Sequence, residues 1–362
     1  MTKSLYIHIP FCIKKCNYCD FYSGSFDDAT RAAYVKKLAE EIKKWGRLNT
    51  CPIDTIYFGG GTPSLLSPDE LETIMSAIRS SFVVTDNAEI TAEVNPGDDY
   101  DFLRAAYSLG FTRISLGVQS ADDNELKMLG RRHSFSDAIQ TVEFIKKLGI
   151  SNISADIMIG LPYSTLATLK KSIGGVLSLK TQHISSYILK LEDGTPMAQT
   201  GVRLPSEDNV ADQYLYMCDA FQEAGYHHYE ISNFSLDGFH SRHNNKYWQC
   251  EEYIGIGPGA HSFINGKRLY YPRNIRSFIA GNEPVFDGYG GDKEEYIMLA
   301  LRLNRGLVFA EYEKRYGKLS PKLIERAGLL KTLCVVDSSH IHLTNEGMLV
   351  SNSVITNLLE VI

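Results

Sequence analysis

Short apolar runs alternate with amphipathic segments six times over residues 1–194, and this alternation constrains the fold more than any other feature. The runs are Leu5–Ile9, Asp54–Phe58, Glu89–Val94, Thr112–Val118, Ile153–Ile159 and His183–Leu189, each short and rich in β-branched or aromatic residues. Such runs read as parallel strands buried on both faces. Helical segments lie between them. Thr30–Trp45 is expected to stop at Gly46. A second segment starts with Ser67 as N-cap, Pro68 in the first turn and Glu70 three residues on. A third, Phe135–Leu148, is followed by Gly149. Consecutive βα units demand a parallel sheet. The expected class is α/β, as a partial (β/α)6 barrel.

After Gly194 the pattern changes. Residues 195–285 are rich in Gly, His, Tyr and Asn and read as an irregular extension. Residues 286–362 read as a small winged-helix-like domain, with helices at Lys293–Leu303, Ala310–Tyr316 and Pro321–Ala327. A strand pair, Cys334–Val336 and His340–Thr344, and a last helix, Asn352–Val361, complete it. Winged helices often bind DNA, but Glu294, Glu295, Glu311, Glu313 and Glu325 are mixed among the cations here. Across the chain 43 carboxylates face 37 Lys and Arg, a net charge of −6, so nucleic acid is not an expected partner. No run approaches the ~18 apolar residues of a membrane span. The opening MTKSLYIHIPFC lacks a signal-peptide pattern, so a cytoplasmic location is expected.

In parallel βα architectures, chemistry sits beyond the carboxyl ends of the strands. The first strand here runs into Cys12-x3-Cys16-x2-Cys19, and the second ends in Gly59-Gly60-Gly61-Thr62-Pro63. The third ends in Glu93-Val94-Asn95-Pro96, the fourth in Gln119-Ser120, and the fifth in Asp156 and Gly160-Leu161-Pro162. Five unusual strand ends on one rim indicate an active site or ligand pocket. Seven cysteines, three of them clustered, do not make a disulfide framework. Cys51, Cys218, Cys250 and Cys334 read as small buried residues. The clustered trio reads as metal ligation. Three thiolates on one loop can hold three irons of a cubane and leave the fourth open for a small ligand. A zinc site completed by His8 or water is the alternative that spacing leaves open. Singly, Glu93 also reads as a helix cap, Asp156 as a buried acceptor, and Arg131, beside Arg132, as a surface cation.

With Tyr18 before its last cysteine, the Cys-x3-Cys-x2-Cys loop resembles the radical S-adenosylmethionine (SAM) superfamily. The resemblance implies a [4Fe–4S] cluster on Cys12, Cys16 and Cys19, whose open iron binds the amino and carboxylate groups of SAM. It implies that Gly60, Gly61 and Thr62 approach the methionine amino group, with glycine leaving room for it. Tyr6 would meet the carboxylate, Glu93 would accept from the cofactor, and Gln119, Arg131 and Asp156 match positions that contact SAM or a second SAM.

The fuller resemblance, along nearly the whole chain, is to the HemN/HemW group. It is carried by Tyr6–Cys12, the GGGTPS run, Gly117–Ser120 and the small C-terminal domain. Oxygen-independent coproporphyrinogen III oxidases have a further cysteine two residues past the third, where this chain has Phe21. They also have a longer segment ahead of the loop, and only eleven residues precede Cys12 here. His243-Asn244-Asn245-Lys246-Tyr247-Trp248 matches the HNxxYW motif of the HemW haem chaperones, and Gly255–His261 is similar to the same group. The resemblance implies haem as a ligand and haem-accepting proteins as partners, membrane-associated ones included. A homodimer is compatible with the group. Five of the ten histidines lie between residues 227 and 261, and imidazole commonly ligates haem iron, which makes His243 a candidate ligand. A structural corner built on His243 is the alternative.

Overall fold

The computed structural model describes residues 2–362. Its first six strands are β1 (Lys3–Ile9), β2 (Ile53–Gly60), β3 (Val84–Val94), β4 (Arg113–Gln119), β5 (Asn152–Ile159) and β6 (His183–Ile188). They pair in chain order, all parallel. β6 does not return to β1, so the barrel is partial.

Polarity alternates along these strands. Ile7, Phe58, Ala92, Leu116 and Ala155 join the apolar core beneath the helices. The intervening positions carry Tyr6, Tyr57, Glu93, Ser115 and Asp156, which meet one another on the inner face: Tyr6 stacks on Tyr57, Tyr57 bonds Glu93, and Ser115 bonds Asp156. The strands are buried on both faces, as expected, with apolar side chains on the outer face and largely polar ones on the inner. Curling the sheet encloses a polar interior.

The helix Asp28–Leu48 runs through Gly46 instead of stopping there. A Cβ at Gly46 would stand 2.5 Å from Ser81 Cβ, so this glycine serves the packing of the helix against the end of the helix Pro68–Ser81. Ser67 and Glu70 close the expected capping box, and Gly149 ends Phe135–Leu148 in the left-handed conformation at φ +100°.

Residues 195–285 are not irregular, and the strands they begin run on to residue 289. They supply the helix Glu207–Glu223 and the strands β7 (His227–Glu230), β8 (Asn233–Ser235), β9 (Tyr253–Ile256), β10 (His261–Ile264), β11 (Lys267–Tyr270) and β12 (Val285–Tyr289). β8 joins β6 antiparallel and β9 joins β1 parallel, extending one sheet at both edges to the order β12-β11-β10-β9-β1-β2-β3-β4-β5-β6-β8-β7. Strands of three to five residues are too short for a period to register.

The C-terminal region has the helices Lys293–Ala300, Phe309–Tyr316 and Pro321–Leu329. A sheet of β13 (Leu307–Val308), β14 (Cys334–Val336) and β15 (His340–Leu343) has the order β13-β15-β14, and the helices Asn345–Leu349 and Ser351–Leu359 follow. It is stitched to the barrel where Ile231 N–H donates to Arg302 O at 2.9 Å and Asn304 N–H to Tyr229 O at 3.0 Å. Among the described residues, no helix is long and apolar enough to cross a membrane.

Candidate functional site

β1 delivers the chain into the cysteine loop, which is tied down from several sides. Cys12 N–H donates to Gly24 O at 2.8 Å, and Asn17 N–H to Leu129 O at 3.0 Å. Met197 N–H donates to Asn17 O at 2.8 Å, and Asn17 Nδ2 to Met128 O at 2.9 Å. All seven cysteines are free, the loop trio half-buried. Cys218 and Cys334 are buried as expected, whereas Cys51 and Cys250 are only half-buried.

Arg131 Nη1 lies 3.3 Å from Cys16 Sγ, Arg131 Nη2 donates to Gly117 O at 2.5 Å, and Thr62 Oγ1 lies 3.6 Å from Cys12 Sγ. Arg131 is thus half-buried against the loop, while Arg132 is the exposed one. A guanidinium beside a sulfur can balance the charge of a metal-bound thiolate. Burial pushes the Cys19 thiol up, a cost that metal ligation would offset. Among the described residues, no three His, Cys, Asp or Glu side chains are grouped to hold a single ion. A cubane needs a different arrangement, because each thiolate holds its own iron. The donor set fits a cubane: three sulfurs on one restrained loop with a cation beside them. The buried, unpartnered Arg131 Nε adds a donor beside the same loop.

The glycine run also has a packing reason. A Cβ on Gly60, which sits at φ +110°, would overlap the His8 ring, and one on Gly61 would stand 2.7 Å from Ile9 O and Phe11 O. The run is glycine so that β2 can close on the end of β1. Gly60 N–H donates to Glu93 Oε2 at 3.0 Å, and Tyr57 OH to Oε1 at 2.9 Å. Burial pushes the Glu93 carboxyl up to about 7, against these two bonds. Tyr6 OH lies 3.1 Å from His8 Nδ1, and His8 Nε2 reaches Tyr22 O at 2.8 Å.

Gln119 sits at φ +67° where the β4–β5 register shifts, a left-handed backbone that non-glycine residues adopt at a cost of ~1–3 kcal/mol. Asp156 lies deeper, accepting from Ser115 Oγ at 2.9 Å and Ser154 Oγ at 3.0 Å. Burial pushes its carboxyl up, and the serines oppose the shift. Tyr18 packs on a small apolar cluster over the barrel mouth, whose buried members are Leu129, Met158, Leu161, Leu189 and Met197.

Sequence reasoning missed several residues here. Asn95 Nδ2 donates to Thr62 Oγ1 at 3.2 Å, and Asp98 accepts from Ser64 Oγ and from Asn95 N–H. Asn95, Asp98, Thr62, Cys16 and Arg131 line a cavity of about 150 Å³ beside the loop. The signal available was the strand-end run Glu93-Val94-Asn95-Pro96, from which only the glutamate was singled out.

His243 stands apart from all of these. It is 1% exposed, with Nδ1 2.9 Å from Thr55 Oγ1 and Nε2 2.8 Å from Tyr247 OH. Thr55 lies near the amino end of β2, whereas the cysteine loop adjoins the carboxyl end of β1. Both ring nitrogens are engaged, which is the geometry of a structural corner.

The sequence pattern of the Radical SAM superfamily matches residues 6–174. Heme chaperone HemW of Lactococcus lactis subsp. lactis (strain IL1403) is 36% identical over 98% of this chain and 97% of its own length. Heme chaperone HemW of Bacillus subtilis (strain 168) is 34% identical over 97% and 98%. The mitochondrial radical S-adenosyl methionine domain-containing protein 1 of Bos taurus is 32% identical over 98% and 87%. The solved structure of coproporphyrinogen III oxidase (HemN) from Escherichia coli covers 99% of this chain and 90% of its own at 21% identity, with a TM-score of 0.85, a likeness of fold. With about a third of its residues shared along the full length of these relatives, the chain belongs to the radical SAM superfamily, in the group that contains HemN and HemW.

Proposed function

We propose that this chain is a haem chaperone: it holds a [4Fe–4S] cluster and SAM, carries haem, and hands it to acceptor proteins in the cytoplasm. The observation that carries this reading is the 36% identity, over nearly the whole of both chains, to a protein named as a haem chaperone. Phe21 supports it, an exposed aromatic where the oxidases have a further cysteine. Acceptor proteins, membrane-associated ones included, are the partners the reading requires, and a homodimer is compatible with it.

Cys12, Cys16 and Cys19 would hold three irons, and the cluster and SAM together supply one-electron cleavage of the sulfonium when bound. The chain's own residues prepare the rim. Arg131 balances thiolate charge at Cys16 from 3.3 Å. Thr62, held by Asn95, presents its hydroxyl at Cys12. Glu93, with its carboxyl near 7, has oxygen lone pairs left after bonding Gly60 and Tyr57 and can accept from a ligand amine. Tyr6, Gly60, Gly61, Gln119 and Asp156 complete the proposed SAM contacts, and Tyr18 packs the loop against the mouth.

The test is a turnover assay on protein reconstituted anaerobically with iron and sulfide. It is mixed with SAM, a strong reductant and coproporphyrinogen III, and in parallel loaded with ferric haem and offered a haem-free acceptor. The expected result is no decarboxylation and transfer of haem. Protoporphyrinogen at many equivalents per protein would make the chain an oxidase instead.

A further inference from the structure

The HNxxYW run folds as the helix Arg242–Trp248, fixed to the amino end of β2 by His243 on Thr55 and by Lys246, 3.0 Å from Asp54. Its last residue, Trp248, reaches the seam between the barrel and the C-terminal region. There the Arg302 guanidinium lies 5.6 Å from the centroid of the indole ring. The seam is a short antiparallel bridge of Glu230 with Leu303, flanked by the bonds of Ile231 N–H to Arg302 O and Asn304 N–H to Tyr229 O. Asn304 Nδ2 adds a bond to His228 O at 2.7 Å, and Arg302 Nη2 one to Asn352 Oδ1 at 3.1 Å.

Glu230 is fully buried in this seam. It accepts from Ser232 N–H at 3.3 Å and from Asn233 Nδ2. Burial pushes its carboxyl up to about 7, with Ser232, Asn233, Arg302 and Trp248 opposing the shift. Trp248 and Arg302 are therefore close enough to act on the carboxyl, yet Trp248 Nε1 and Arg302 Nε are both buried without a formed hydrogen bond. Each unpaired buried donor costs ~1–3 kcal/mol, so an ionised carboxylate beside them would draw them in. The arrangement seen suits a neutral carboxyl, which is the weaker acceptor. Arg302 is the cation that faces it. Tyr187 on β6, Tyr214 on the helix Glu207–Glu223 and Tyr229 on β7 feel the same charge and stay protonated, chiefly through burial. His228 on β7 is pushed down, again by burial.

We propose that this seam is a proton switch. With Glu230 neutral the C-terminal region is seated as in the structure; with Glu230 ionised, the Trp248 and Arg302 N–H groups turn onto the carboxylate and the bridge to Leu303 loosens. Parting the seam returns the carboxyl towards its ordinary value of 4.5. The seated form then holds a proton that the parted form has released, so seating weakens as pH rises from about 5 to about 7 and stays weak above. The switch is independent of the haem-chaperone reading.

The chain has two tryptophans, so Trp45→Phe leaves Trp248 as the single reporter. In the reconstituted Trp45→Phe protein, Trp248 emission should change with a midpoint near 7. Glu230→Gln should abolish that transition, and Arg302→Gln, which removes the facing cation, should move it up by ~1 pH unit. Hydrogen exchange at the Ile231 and Asn304 amides reads seating directly, and both should exchange faster than the amides of β2. The ratio of their rates in wild type to those in Glu230→Gln should grow ~10-fold or more from pH 5 to pH 7 and level off above. Emission that does not titrate between pH 6 and 8, a transition that survives Glu230→Gln, or an exchange ratio that does not change with pH overturns the switch. Seam amides that exchange only as slowly as those of β2 overturn it too, since they would open only with the whole molecule.

Discussion

Burial decides what a side chain can do, and His243 is the sharpest case. An exposed imidazole between residues 227 and 261 would be an available ligand, yet at 1% exposure its ring spans Thr55 and Tyr247, and burial pushes its pKa down to about 3. Its main-chain N–H also donates to Glu89 at 3.0 Å. His243→Ala would leave two buried hydroxyls unpaired and open a cavity, at a combined cost of ~3 kcal/mol or more. A fall in the urea midpoint of that order, with unchanged slope, is expected. A variant as stable as wild type would mean that the ring is not part of the corner. Glu93 is the converse case, since the same desolvation that keeps histidine neutral brings this carboxyl close to half-protonated at neutral pH.

At the scale of elements, glycine marks contacts as often as it marks ends. Gly46 stands inside a helix, where its intrinsic cost relative to Ala is ~1 kcal/mol, so a Gly46→Ala change would stabilise the helix taken alone. Against Ser81 the added methyl has no room, and overpacking costs ~1–3 kcal/mol. The contact should win: Gly46→Ala is expected to lower the thermal midpoint, and a raised midpoint would show that the two helices can part freely. The same distinction explains what was legible in the sequence. The six parallel strands and their capped helices were readable because each spans several residues with a clear pattern. The cysteine loop, Thr62, Glu93, Gln119 and Asp156 were readable because strand ends in such folds carry chemistry. The strands β7 to β12 were not, being short, and neither was the place of the HNxxYW run. That place depends on β8 joining β6 and β9 joining β1, pairings across the chain that no local pattern encodes.

The molecule as a whole carries a polar interior inside an apolar shell, and its pH response follows from that layering. His8 and His133 are pushed down to about 4 and His243 to about 3, each chiefly by burial. Glu93 and Glu230 are pushed up to about 7 by the same cause. As pH falls below the ordinary histidine value of 6.5, the unfolded chain protonates these three imidazoles and the folded chain does not, so stability is lost on the acid side. The two carboxyls act oppositely: between 4.5 and about 7 the folded state keeps protons that the unfolded state has released, so their contribution falls as pH rises. His183, His228, His240 and His261 are lowered as well, and Asp98 and Asp156 raised, each chiefly by burial. Seven imidazoles thus stand against four carboxyls, the unfolded state binds more protons on the acid side, and each net proton tilts stability by ~1.4 kcal/mol per pH unit. Stability of the cluster-free protein should therefore rise from pH 5 to 6.5. Glu230→Gln removes one carboxyl from the balance and should steepen the rise. Urea midpoints at closely spaced pH values read both directly, and a wild-type protein most stable near pH 5 would mean that the buried carboxyls outweigh the histidines.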